Sequence, residues 1–155
     1  MSDSSPKPVK KTGTAQRKKA RKLVLQALYQ WQISGSGIAQ VEAEFRSDND
    51  FDRIDAVYFG ELFREIPKEV TELDQLIEPF LDRAISDVDP VEMNLLRMGV
   101  YEFKHRVDVP YRVVINEAVE LAKLFGGTDG HKYINSILDK LSLRLRAAET
   151  RKKRS

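Results

Sequence analysis

Apolar side chains recur at helical spacing through most of this chain, and no stretch alternates for long enough to predict a strand. The first periodic segment spans residues 14–33 and stops at "SGSG", where two glycines break it. A short helix is expected over 38–46. The segment "SDNDFDRIDAVYFGELFREI" then opens on capping residues and carries Phe51, Ile54, Val57, Tyr58 and Leu62 at helical spacing. Pro67 is expected to open the next helix, at a position where its missing N–H costs nothing, with Val70, Leu73, Leu76, Ile77 and Phe80 as its apolar face.

The second half has clearer boundaries. In "DPVEMNLLRMGVYEFKHR", Asp89 suits an N-cap, Pro90 the first helical position and Glu92 the return half of a capping box. Leu95, Leu96, Met98, Val100 and Phe103 make that helix apolar over much of its circumference, as a central helix requires. "VPYRVVINEAVELAKLFGG" ends in glycines fit for a cap. A last helix over 130–147 follows, with Asp129 as a carboxylate at its start, where it favours the helix. The pattern predicts an all-α fold of about seven helices over residues 14–148. Residues 1–13 and 149–155 have almost nothing to bury and are read as disordered basic ends.

The first helix departs from the ordinary pattern, because five basic residues crowd into 17–22 and run directly into apolar positions. With residues set about 100° apart and Lys18 at zero, Ala20, Leu23, Val24, Ala27, Leu28 and Trp31 share the core face. Leu25, Tyr29 and Ile33 fall on the other side, continuous with Lys18 and Lys22, and Gln26 lies at their edge. Cation, aromatic ring and amide on one face make a surface suited to single-stranded nucleic acid, where charges meet phosphates and the ring stacks on a base. Leu25, Tyr29 and Ile33 would also suit packing beneath another helix of the bundle.

Charge sharpens this picture. The net charge of +2 conceals basic ends, +7 over residues 1–22 and +5 over 144–155, on an acidic body of −10. Such asymmetry fits a polyanion held at the ends, or solubilising tails. The chain has no cysteine, hence no disulfide framework or thiolate metal site. The start lacks the apolar stretch of a secretory signal, and no apolar run approaches the ~20 residues that span a bilayer, so a cytoplasmic protein is expected. Chemistry is sparse. His105 and His131 belong to no ligand or nucleophile motif, and "GGTDGHK" lacks the adjacent glycine, lysine and hydroxyl of a phosphate loop. Neither enzyme activity, cofactor nor metal is expected.

Three stretches, "RKKARKLVLQALYQWQ", "DVPYRVVINEAVELAKLFGG" and "HKYINSILDKL", resemble the NusB family of transcription antitermination factors, a similarity spanning roughly residues 15–147. Its strongest part, "VPYRVVINEAVELAKLFG", is shared with the helical RNA-binding domain that begins bacterial ribosomal RNA cytosine methyltransferases, in which a cofactor-binding α/β domain follows. This chain is expected to lack that second domain, and the basic start before "LQALYQWQ" favours NusB.

The resemblance implies two packed helical bundles, binding to the boxA element of ribosomal RNA leader transcripts, and a heterodimer with the small-subunit ribosomal protein NusE. It implies a place in the RNA polymerase antitermination complex and support of ribosomal RNA maturation. Carried over by residue, RNA contacts fall on Arg17, Lys18, Lys19, Arg21, Gln26 and Tyr29, with a second patch at Asp129, Lys132 and Tyr133. Glu92 falls on a position facing NusE. Lysine is richer here than the family's arginine, so fewer forked phosphate contacts are expected. Ser136 stands where glycine is common. Two alternatives remain at this stage: a stand-alone relative of the methyltransferase domain, and a protein-binding scaffold with solubilising ends.

Overall fold

The computed structural model describes residues 13–154, so residues 1–12 of the expected basic arm lie outside the described residues. Helix α1 (Thr14–Ser34) begins where the Gln16 side chain accepts the Gly13 N–H at 2.9 Å. It ends at Gly35, whose φ of 70° is the left-handed conformation that glycine adopts without steric cost. Helices α2 (Ile38–Asp48) and α3 (Ala56–Lys68) follow, separated by a 3-10 turn at Phe51–Arg53. Asp55 caps α3 by accepting the Tyr58 N–H at 3.0 Å. Its own N–H donates to the Gln16 carbonyl at 3.1 Å, which ties the start of α3 to the first turn of α1. The chain continues through α4 (Val70–Ile77), 3-10 turns at Glu78–Phe80 and Ile85–Asp87, α5 (Pro90–His105), α6 (Tyr111–Phe125), α7 (Gly130–Leu145) and α8 (Ala147–Arg154).

The described residues are all-α. Helices α1, α2 and α3 pack together, α4, α6 and α7 surround α5, and α5 also touches α1 and α3, so it joins the two bundles. That position explains its composition: every residue from Met93 to Phe103 is buried, including Asn94, Arg97 and Glu102. The buried polar groups are paired. Arg97 forks onto Asp74 of α4 with both contacts at 2.8 Å, and Asn94 donates to Gln32 of α1 at 3.0 Å. At Gly99 α5 and α7 approach closely, since a Cβ there would lie 2.8 Å from Leu138 Cδ2 on α7.

Three local expectations are corrected. Pro67 does not open a helix; it lies in the last turn of α3, where Ile66 is fully buried and carries the apolar face onward. Its missing N–H removes a bond only one residue before the helix ends. Glu92 does not close a capping box. The Asp89 carboxylate accepts the Val91 and Glu92 N–H groups at 2.9 and 3.2 Å, while the Glu92 carboxylate leans on Gly130 at the start of α7. Residues 149–154, read as a disordered tail, belong to α8. Glu149 accepts the Tyr111 N–H at 2.9 Å and so caps α6, whose N-cap residue Pro110 has no side-chain acceptor. Arg146 fastens the same corner by donating to the carbonyls of Glu102, Phe103, Arg106 and Val109 and to Glu149.

Candidate nucleic-acid interface

The basic half of α1 divides into buried and exposed cations. Arg21 points inward and is almost fully buried, with Nε 3.1 Å from Glu102 Oε1 and Nη2 2.8 Å from Glu102 Oε2. The Tyr58 hydroxyl donates to that same Glu102 oxygen. Burial works against the charge of Arg21, but Glu102 outweighs it and holds the guanidinium protonated more firmly than usual. Burial and Glu102 together push the Tyr58 phenol well above its ordinary value, so it remains a donor. Arg17 lies 4.2 Å over the Tyr58 ring with Nε 3.4 Å from Asp55, and Arg106 stacks on the same ring at 4.8 Å.

The remaining cations face water. Lys18 is exposed but paired, its Nζ 3.1 Å from Glu117 on α6. Lys19 and Lys22 are exposed and make no salt bridge among the described residues. The Lys22 ammonium instead lies 5.8 Å from the ring centroid of Phe125, the last residue of α6. Farther along α1 the face read as semi-apolar splits: Leu25 is buried, whereas Gln26, Tyr29 and Ile33 are exposed. Tyr29 and Ile33 line a shallow groove of about 350 Å³ with Gln32, Val88, Pro90 and Met93.

The second expected patch lies at the start of α7. Asp129 is the N-cap residue, with φ of 65° and no side-chain cap bond, so the expected carboxylate cap is not made. Its carboxylate pairs instead with the exposed Lys132 at 3.3 Å. Tyr133 is half-buried and donates its hydroxyl to Asp82 at 2.9 Å, with Arg83 4.6 Å over its ring. Burial and Asp82 raise the Tyr133 phenol, and Arg83 and Tyr133 hold the Asp82 carboxyl down at about 2. Glu92 adjoins this patch, since a Cβ on Gly130 would come within 2.8 Å of its Oε1. Its carboxyl is raised by partial burial and by Asp89. Among the described residues no group of three or more His, Asp or Glu is placed to hold a metal, and no helix is long and apolar enough to cross a membrane.

The NusB family model matches residues 18–143. The chain belongs to the NusB family. It is 57% identical over 152 residues to the transcription antitermination protein NusB of Marinobacter nauticus, covering 96% of each chain. It is 59% identical over 133 residues to the protein of that name from Hahella chejuensis, covering 86% of this chain and 89% of the relative. A solved structure of T. maritima NusB shares the fold with a TM-score of 0.62 at 28% identity, over 83% of this chain and 91% of that one. Membership places the chain among transcription antitermination factors, which are not enzymes.

Within the family frame, the structure puts Lys18 and Lys19 on the surface of α1 together with Gln26 and Tyr29. It gathers Asp129, Lys132 and Tyr133 with Glu92 at the junction of α5 and α7. Arg21 and much of Arg17 are drawn inward, against the expectation that the whole cluster meets phosphate. A signal for this was present on the helical wheel, where Arg17 falls near 260°, inside the arc assigned to the core, and Arg21 near 300°, at its edge. Sequence reasoning treated Tyr58 as an ordinary core position and left Glu102 and Phe125 unremarked; the first two anchor the basic helix and the third meets its last lysine.

Proposed function

We propose that this chain acts in transcription antitermination as a non-catalytic adaptor that binds boxA RNA of ribosomal RNA leader transcripts together with NusE. It then stabilises the RNA polymerase antitermination complex in the cytoplasm. The observation that carries the reading is the two-sidedness of α1: one flank is locked into the core through Arg21, Val24 and Leu28, and the other presents Lys18, Lys19, Gln26 and Tyr29 to solvent. A rigid element with cations and a ring at fixed spacing suits a single strand, with ammonium groups on phosphates and the ring on a base. In this reading Lys132 and Tyr133 extend the contact, Asp129 tunes it, and Arg17 and Arg21 position α1 from within.

One observation favours a second role for Tyr29. It shares its groove with Pro90 and Met93, which flank Glu92 on α5 within three residues, so the ring also borders the surface assigned to NusE. The test is co-purification of the chain with NusE and a boxA oligonucleotide, alongside a scrambled oligonucleotide and folded ribosomal RNA. A ternary complex selective for boxA is expected. Binding to folded ribosomal RNA without boxA preference would favour a methyltransferase-domain relative, and no RNA affinity at physiological salt would favour a protein-only scaffold. Glu92→Lys is expected to weaken NusE capture and leave RNA binding by the isolated chain unchanged. Tyr29→Ala assigns its ring to whichever of the two affinities falls.

A further inference from the structure

Phe125 closes α6 with its ring 38% exposed, beside Leu124 at 67%, where an apolar pair would ordinarily be covered. Its backbone is held firmly. The Gly126 N–H donates to the Ala122 carbonyl at 2.8 Å, and a Cβ on Gly126 would lie 2.7 Å from that same oxygen, so only glycine turns the chain this tightly after the ring. Lys22 of α1 reaches over Phe125, and it makes no salt bridge among the described residues. The four residues after Phe125 lead straight to Gly130, the start of α7 and of the patch holding Lys132. Phe125 therefore meets the basic flank of α1 and precedes the start of α7 by four residues of chain, with an aromatic face and a cation already paired.

Resting on the reading of this surface as an RNA site, we propose that Lys22 and Phe125 form a further subsite for one nucleotide of single-stranded RNA. The Phe125 ring stacks on a base and the Lys22 ammonium turns from the ring to the adjoining phosphate. An exposed cation–ring contact is weak, so exchanging it for a phosphate and a stacked base carries little penalty. The subsite makes one path from Lys19 and Lys22 to Lys132, where the two patches would otherwise be separate. It is indifferent to base identity, since every base has a π-face.

The experiment measures binding of the full chain to fluorescein-labelled boxA RNA and to a scrambled single strand by anisotropy, across a salt series. Circular dichroism and thermal melts check that each variant is folded. Phe125→Leu, which keeps an apolar side chain and helical preference, is expected to weaken both RNAs by between about five- and a hundredfold at unchanged salt slope. Phe125→Tyr should stay within about twofold of wild type, because the stacking face is retained. Lys22→Gln should lower the salt slope by about 0.7. A folded Phe125→Leu variant that binds as wild type does would overturn the subsite and leave the antitermination reading intact. Wild type with no affinity for either single strand would overturn both.

Discussion

Arg21→Met separates the structural part of the basic cluster from its surface part. The substitution keeps an unbranched apolar stem, though a shorter one, but removes a forked pair to Glu102, in which both side chains are under 5% exposed. Glu102 would then keep the Tyr58 hydroxyl as its one remaining strong donor, with its charge still buried. Breaking one side of such a pair costs about 3–5 kcal/mol, because the orphaned carboxylate has neither water nor a counterion. At roughly 2–4 °C per kcal/mol for a chain of this size, the melting temperature should fall by about 6–20 °C. Arg21→Met combined with Glu102→Gln should recover much of that loss, since an amide still accepts from Tyr58 and carries no charge to strand. RNA affinity of the folded Arg21→Met protein should keep the wild-type salt slope. A melting temperature within about a degree of wild type, with a slope lowered by about 0.7, would show Arg21 to be a phosphate contact and refute the reasoning.

Lys19→Ala should do the reverse, leaving the melt unchanged and lowering the salt slope of single-strand binding by about 0.7, as read by anisotropy. Asp129→Asn should raise RNA affinity by about 0.5–1 kcal/mol at low salt and less at high salt, because it releases Lys132 and removes a like charge from the strand. It should leave stability unchanged or slightly higher, since asparagine tolerates the left-handed backbone at that residue. Arg146→Ala should cost about 3–5 kcal/mol in a denaturant melt, as it strips the donor shared by four carbonyls at and just beyond the end of α5, three of these contacts buried, and removes the ion pair to Glu149.

Helices with a long apolar stripe and a local stop signal were legible in the sequence. Gly35 ends α1, and Asp89 with Pro90 starts α5, through contacts within a few residues of the boundary. Elements whose ends depend on distant chain were not. Nothing near residue 149 marks the start of α8 as ordered, because what orders it is the N–H of Tyr111, 38 positions away, and the carbonyls that Arg146 collects. Pro67 misled for the opposite reason. A proline is a strong local signal, but the buried Ile66 before it was stronger, and the helix had only one further residue to lose.

The candidate site divides along the same line. Composition located the cations on α1, but whether a cation is free to meet a phosphate depends on where the acidic body places its carboxylates. Glu102 is 81 positions from Arg21, and no periodicity connects them. The body's excess of negative charge is not spread evenly beneath the basic segment. Glu102 lies under Arg21, Asp55 under Arg17, and Glu117 between Arg21 and Lys18 at 3.8 and 3.1 Å. The acids thereby hold the first turns of α1 in place with the inner cations and leave Lys19 and Lys22 outside the network. A helix whose cations were all free would offer more charge but no fixed direction, because its basic side chains would repel one another and nothing would tie that segment to the core. The inner arginines supply the direction, and in the proposed reading the exposed lysines and rings supply the contact surface.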